Sequence, residues 1–132
     1  MFLLDTNTLS ALVRDPQGAV AEHIARAGEG NVCTSIVVAA ELRYGAAKRK
    51  SARLAQQLNV ILASMEIVAF ESPMDRIYAD VRNALEQRGR PIGGNDLIIA
   101  AQALALDAIV VTDNVREFEQ VPGLKVENWV RI

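Results

Sequence analysis

Histidine and cysteine are almost missing from this sequence, with one of each in 132 residues. A lone Cys33 excludes an internal disulfide and a thiolate metal cluster. It lies in the apolar stretch Val32-Cys33-Thr34, so a buried core thiol in a reducing compartment is expected. A lone His23 excludes any active site in which two histidines shuttle protons. It is distant in sequence from the acids discussed below, so a packed or exposed side chain is expected rather than a ligand. No Gly-x-x-x-x-Gly-Lys phosphate loop occurs, and no apolar run is long enough to span a bilayer. The chain starts directly on an apolar strand, without a basic segment leading an apolar one, so a cytoplasmic location is expected. There is no large charge of either sign, the formal net charge being −2. That balance does not announce a polyanion-binding surface, but acids gathered around a metal would mask one.

What is present is ordered alternation. Hydrophobic residues make up 51% of the chain, enough for a continuous core in one domain spanning 1–132. A strand is expected over about 1–5, then a helix over about 8–14 that Asp15-Pro16 breaks. Pro16 suits the first turn of a second helix running to about Ala27. A strand at 32–34 leads into a helix at about 36–48, capped by Thr34 or Ser35. Leu54, Leu58, Ile61, Leu62 and Met65 form one apolar stripe on a helix over about 52–64, which suits either core or a subunit interface. A third strand is expected at 66–70. Ser72-Pro73 then reads as cap and first residue of a helix to about Arg88. A helix at about 95–106 is apolar nearly all round and should be buried. A strand at 108–112, a short helix near 115–118 and a strand near 125–128 close the chain, with Trp129 packing the last of them. The expected fold is α/β, a three-layer α/β/α sandwich on a mostly parallel sheet of four or five strands.

Four acids stand where such folds keep their chemistry, outside the carboxyl ends of the strands. Asp5 ends the first strand and Asp113 the fourth. Glu41 interrupts the apolar run 36–40, and Asp96 opens the run 97–101. Carboxylates drawn together repel one another unless a cation or a shared proton neutralises them. With no His or Cys alongside, the simplest cation is Mg²⁺ or Mn²⁺, and an acidic cup of that kind points to phosphoryl chemistry. Each acid also has a plainer reading. Asp5 could cap the following helix, although Thr6, Asn7 or Thr8 would serve as well. Glu41 could pair with Arg43 or a lysine. Asp96 could be a cap beside Asn95, and Asp113 part of a turn with Asn114.

The motifs Leu4-Asp5-Thr6-Asn7, Glu41-Leu42-Arg43-Tyr44-Gly45, Arg90-Pro91-Ile92-Gly93-Gly94-Asn95-Asp96 and Val111-Thr112-Asp113-Asn114-Val115-Arg116-Glu117-Phe118 follow in order. They precede the tail Val121-Pro122-Gly123-Leu124-Lys125-Val126-Glu127-Asn128-Trp129. Together they resemble PIN-domain ribonucleases, and within these the VapC toxins of type II toxin–antitoxin pairs, over the whole length. The resemblance implies an endoribonuclease dependent on Mg²⁺ or Mn²⁺. It implies Asp5, Glu41, Asp96 and Asp113 as the catalytic, metal-binding acids, the fourth position alternating between Asp and Asn among relatives. It places Thr112 as the hydroxyl beside the last acid, with Thr6, Asn7 and Asn114 orienting water or ligands around the cup. Gly94 stands where many relatives carry Pro. The resemblance further implies a cognate antitoxin whose peptide tail blocks the site, and a homodimer.

The expected reaction is hydrolysis of an RNA phosphodiester by metal-activated water, leaving a 5′-phosphate and a 3′-hydroxyl, on structured RNA such as tRNA or rRNA. Arg43, Lys48, Arg49, Arg82, Arg90 and Arg116 are candidates to hold its backbone, against the plain reading of solvated helix faces. Tyr44 and Tyr78 could stack on bases, but a place at the core's edge is the simpler expectation. A receiver-like Mg²⁺-binding phosphoacceptor domain lacks support, since Val111-Thr112-Asp113 offers no lysine. A dehalogenase-like phosphatase would need a second Asp where Asn7 stands. A non-catalytic RNA- or partner-binding module, its acids serving only as caps, is the remaining alternative.

Overall fold

The computed structural model describes residues 1–130, and the last two residues of the expected domain lie outside the described part. Five short strands build one wholly parallel sheet: β1 (Phe2–Leu4), β2 (Val32–Ser35), β3 (Glu66–Val68), β4 (Ile109–Val111) and β5 (Lys125–Glu127). Their order is β3-β2-β1-β4-β5, with Leu3 paired to Cys33 on one side and to Val110 on the other. Between them run α1 (Thr6–Arg14), α2 (Ala19–Ala27), α3 (Ile36–Lys48), α4 (Ala52–Ala63), α5 (Met74–Gln87), α6 (Gly94–Leu106) and α7 (Val115–Phe118). The chain steps outward from β1 to β3 through two helical pairs, then crosses back to β4 through α5 and α6. Right-handed crossovers put those two sets of helices on opposite faces of the sheet. The order reverses at β1, so the crevice between the carboxyl ends of β1 and β4 is the switch point where this architecture binds ligands.

The core follows from this burial on both sides. Leu3, Leu4, Cys33, Val110 and Val111 are wholly enclosed in the central strands, which read as continuous apolar runs because neither face meets water. Helix α6 buries Leu97, Ile99, Ala100, Ala101, Gln102 and Ala103, as its all-round apolar character requires. The Gln102 amide donates to the Val68 carbonyl at 3.1 Å and ties α6 to edge strand β3. Leu58 and Leu62 are 1% and 3% exposed, so that stripe of α4 belongs to the core and not to a subunit interface. Among the described residues no helix is long and apolar enough to cross a membrane.

Several local expectations give way to backbone hydrogen bonding. Pro16 does not start α2. The Gly18 N–H closes a turn on the Asp15 carbonyl at 3.0 Å, and the helix begins at Ala19. Ser72 does not cap α5, because the Met74 N–H is already spent on the Glu71 carbonyl at 2.8 Å. Ser35, not Thr34, caps α3, accepting from the Val37 N–H at 3.1 Å. The third strand stops at Val68. Tyr44 is 66% exposed and lies outside the core edge, whereas Tyr78 is half-buried and meets Phe70 edge to face. Trp129 is buried and stacks on His23 at 5.2 Å and against Phe2 at 5.0 Å, fastening the C-terminal tail over α2 and β1. Trp129→Ala is expected to cost about 3–5 kcal/mol of unfolding free energy, measured by urea denaturation followed by circular dichroism. A loss below about 1 kcal/mol would show that the tail contributes little.

Candidate active site

The carboxyl edge of the sheet collects the acids from separate elements. Asp5 follows β1 at once and is 3% exposed. Its carboxylate caps α1, accepting from the Thr8 N–H at 3.1 Å, and also accepts from Asn7 Nδ2 at 3.2 Å. The capping role is therefore real, and it falls to Asp5 rather than to Thr6, Asn7 or Thr8. Capping by Asp does not remove the charge, and burial pushes the Asp5 carboxyl above its usual range. Hydrogen bonding to Thr112 and Thr8 opposes that rise, and the charge of Asp113 adds to it.

Glu41 sits one turn into α3. It does not pair with Arg43, which is held by Asn59 at 2.7 Å. Its Oε1 accepts instead from the Thr6 hydroxyl at 3.1 Å, linking α3 to the start of α1. Asp96 lies in the first turn of α6, whose cap position is taken by Gly93 without a side-chain bond, so Asp96 is not a cap. Its carboxyl is pushed up to about 8, first by burial, then by hydrogen bonding to Glu117, then by the negative charges of Glu117, Asp5 and Glu41. The Glu117 carboxylate moves the other way, held low by its hydrogen bond from Asp96 and by the Gly93 N–H and Asn114. Burial and the neighbouring carboxylates thus favour the protonated form of Asp96 beside an ionised Glu117. A Cβ placed at Gly93 would stand 3.8 Å from Asp96 Oδ2 and 3.9 Å from Glu117 Oε1, so this backbone runs along both carboxylates.

Asp113 is turned differently. Its N–H donates to Asn7 Oδ1 at 2.8 Å, and its Oδ1 accepts from Asn128 Nδ2 at 3.0 Å. The neighbouring Thr112 hydroxyl is buried and accepts from the Asn114 N–H at 2.9 Å. Asn114 in turn donates to Glu117. Glu117 is the residue that sequence reasoning missed. It sits on a four-residue helix with no periodic pattern around it, and only its nearness to Asp96 marks it. The candidate backbone contacts divide as well. Arg82 is engaged by Glu86 at 2.8 Å and by Tyr78 at 3.1 Å. Arg90 is engaged by Gln120 at 3.2 Å. Lys48, Arg49 and Arg116 are exposed on the surface.

The donor set suits one kind of ion. Asp5, Glu41, Asp96 and Glu117 offer only carboxylate oxygens, with no imidazole or thiolate among them, which favours a hard divalent cation. Among the described residues no group of three or more His, Cys, Asp or Glu side chains is arranged to hold a metal ion. Mg²⁺ rarely uses such a group, since it binds through one or two carboxylates and keeps several waters. The all-carboxylate donor set, with Asp96 raised by the charges of Glu117, Asp5 and Glu41, fits such an ion.

A parallel α/β sandwich with an acidic pocket at its switch point is the class this geometry defines. The chain belongs to the PIN domain family, whose profile matches residues 2–124. It is 37% identical over 131 residues to ribonuclease VapC2 of Rickettsia felis, covering 98% of both chains. It is 34% identical to the tRNA(fMet)-specific endonuclease VapC of Shigella flexneri, covering 97% of each. Among solved structures, VapBC2 from Rickettsia felis bound to a DNA fragment from its promoter superposes with a TM-score of 0.91, at 33% identity, covering 97% of this chain and 98% of that one.

The raised Asp96 carboxyl sets a pH dependence in metal-free protein. Asp96 is raised from 3.8 to about 8, so between those values the native state holds a proton that the unfolded chain has lost. Stability then falls as pH rises through that window. Glu117, being lowered, contributes stability above its ordinary value of 4.5 and loses it only in acid, outside most of the window. In EDTA, the wild-type melting temperature should fall by several degrees between pH 5 and pH 8. Asp96→Asn should flatten that slope and melt higher than wild type at pH 8. A wild-type profile as flat as the variant's would overturn the protonated Asp96.

Proposed function

We propose that this chain is a divalent-metal-dependent endoribonuclease, the toxin of a toxin–antitoxin pair acting in the cytoplasm on structured RNA such as tRNA or rRNA. The observation that carries this reading is the convergence of Asp5, Glu41, Asp96 and Glu117 from four elements. Burial and mutual charge push Asp96 up while Glu117 is held low, as expected of carboxylates drawn close together. Membership in the PIN domain family and likeness to ribonucleases and a tRNA endonuclease support it.

In this reading Mg²⁺ or Mn²⁺, bound at these carboxylates, lowers the pKa of water and offsets charge on the scissile phosphate. Asp5 and Asp96 supply the chief oxygen ligands. Asp5 is fixed for that role by its capping bond, and Asp96 would hold the ion as a carboxylate. Glu41, oriented by Thr6, takes the proton of the attacking water. Glu117 holds the fourth position, supported by its bond to Asp96. Asp113 adds negative charge beside Asp5 while Asn128 occupies one of its oxygens. Asn7 bridges the loops after β1 and β4, and Thr112 and Asn114 keep Glu117's loop in place. The P–O3′ bond breaks, the departing 3′-oxygen takes a proton from solvent to become the 3′-hydroxyl, and the phosphate stays on the 5′ end of the downstream fragment.

Purified protein should cleave RNA with Mg²⁺ or Mn²⁺ and stop in EDTA. Asp96→Asn and Asp5→Asn should each lower the rate by about a hundredfold or more. Asp5→Asn keeps the capping acceptor, so it should fold as stably as wild type. Glu117→Gln should cost about tenfold or more, whereas Asp113→Asn should stay within a few fold of wild type. Wild-type rates in both the Asp5 and Asp96 variants would end the metal-site reading, and a harmless Glu117→Gln beside a dead Asp113→Asn would return the fourth position to Asp113.

The partners in this reading are a cognate antitoxin and a second copy of the chain. The Rickettsia felis relative was solved as a VapBC2 complex on promoter DNA, which supports the first. For the second, Ile36, Ala40 and Tyr44 recur every four residues along α3 and are all exposed, and Phe70 is exposed beyond the end of β3. Ser35 pairs with Val68, so Ile36 and Phe70 leave adjacent strand ends. An apolar face there, on a helix whose other sides are already buried, suits self-association. Tyr44→Asp combined with Ile36→Asp should convert a dimer to a monomer in sedimentation experiments without lowering helix content. An unchanged dimer would place the interface elsewhere.

A further inference from the structure

The cations divide as sharply as the acids. From Leu42 to Met65 the sequence holds Arg43, Lys48, Arg49, Lys50 and Arg53 and no acidic residue. One groove joins this basic corner to the acidic pocket. It encloses about 210 Å³ and is lined by Arg14, Glu41, Gly45, Arg49, Leu54 and Leu58, among others. Two helices form its walls, and their residues keep step. On α1 the sequence Thr6, Ser10, Arg14 advances by one turn at a time, and on α3 so does Glu41, Gly45, Arg49. Thr6 meets Glu41 at 3.1 Å at the catalytic end. Both helices leave the carboxyl edge after parallel strands, so they run the same way. Arg14 and Arg49 therefore stand together at the far end, about 12 Å from Glu41 at 1.5 Å per residue. Among the described residues neither guanidinium has a hydrogen-bond or carboxylate partner, unlike Arg43, Arg82, Arg88 and Arg90.

Gly45 supplies an independent observation. A glycine inside a helix costs about 1 kcal/mol relative to alanine. Packing does not demand it here, because an added Cβ would meet nothing within 4 Å. The missing side chain keeps the groove floor open midway between Glu41 and the two arginines.

We propose that this groove is a substrate subsite. It holds the single-stranded RNA that runs away from the scissile bond, with a neighbouring phosphate on Arg14 and Arg49 and the intervening nucleotide over Gly45, against the half-buried Leu54. The inference rests on the nuclease reading of the acidic pocket and names the path by which its substrate enters. Charge complementarity favours RNA, because an unpaired arginine couple with no acid between Leu42 and Met65 attracts a polyanion. An apolar floor beside it suits the face of a base. Arg82 and Arg90, each bonded to an internal partner, take no part.

The test measures binding of a short, mixed-sequence single-stranded RNA by fluorescence anisotropy at several salt concentrations. The uncleaving Asp96→Asn protein serves as background. Adding Arg14→Gln and Arg49→Gln should weaken binding about tenfold or more and reduce the salt slope by about 0.7, for the one phosphate charge no longer neutralised. Gly45→Leu should retain the wild-type melting temperature or exceed it, yet bind RNA at least as poorly. Arg82→Gln with Arg90→Gln should change neither affinity nor slope. Unaltered affinity and slope in the Arg14/Arg49 and Gly45 variants would overturn the subsite, as would absence of RNA binding by the parent. Intact RNA binding with lost inhibition by the antitoxin would overturn it in favour of a peptide groove. If the variants lose RNA as expected but wild type never cleaves RNA with Mg²⁺ or Mn²⁺, the subsite stands and the nuclease reading falls.

Discussion

Carboxylates buried at the end of a parallel sheet cannot all be ionised at once, and that constraint organises this molecule. Asp5 is enclosed because β1 is the central strand, with a neighbour on each side. Glu41 and Asp96 come close to it because α3 and α6 begin at the same edge. The charge that results exceeds what the pocket can solvate, so Asp96 retains a proton and passes one hydrogen bond to Glu117. Much of the surrounding architecture keeps that pair in register. The loop before α6 is fastened to the segment carrying Glu117 by Arg88 on the Gln120 carbonyl at 2.7 Å, Arg90 on the Gln120 side chain and the Gly93 N–H on Glu117 at 3.0 Å. A cation with its own waters would take over the role the proton plays in the free protein.

The same constraint explains a chain that handles a polyanion while carrying a net charge of −2. One group of its negative charges gathers where a divalent ion sits in the proposed reaction, and one group of its positive charges lies on the stretch from Arg43 to Arg53. Total charge averages the two and hides both. The groove between α1 and α3 joins them, with Glu41 at one end and Arg14 and Arg49 at the other. Helical periodicity alone generates that arrangement, because every fourth residue of each wall faces the same space.

Local chemistry made much of this readable. Alternating apolar runs and breakers located the five strands and seven α-helices of the described residues, and the limits of α3 fell where the pattern put them. Asp5, Glu41 and Asp96 stood out because acids beside long apolar runs need a reason to be there. The errors arose where local signals compete. Pro16 and Ser72 look like helix starts, but turns closed by backbone bonds claimed the groups they would have served. Asp5 looked like either a cap or a ligand, and it caps α1 while carrying the charge that burial makes costly. Tyr44 looked like core edge because its neighbours are apolar, yet it points outward. Glu117 stood inside the last acidic motif without standing out, since a single turn of helix has no period and its partner is distant in sequence.

The sequence by itself determined the class of fold, the depth of α6 and three of the acids that meet at the carboxyl edge of the sheet. These follow from composition and from periods of two and 3.6 residues, which are properties of neighbours along the chain. Tertiary structure alone decided that Glu117 stands beside a protonated Asp96, that Asp113 is bound by Asn128, and that Arg82 and Arg90 are engaged while Arg14 and Arg49 are open to a ligand. Each of those outcomes depends on distances between residues that the backbone brings together only after the sheet has formed. Electrostatic and hydrogen-bond energies fall steeply with such distances, so no local pattern encodes them.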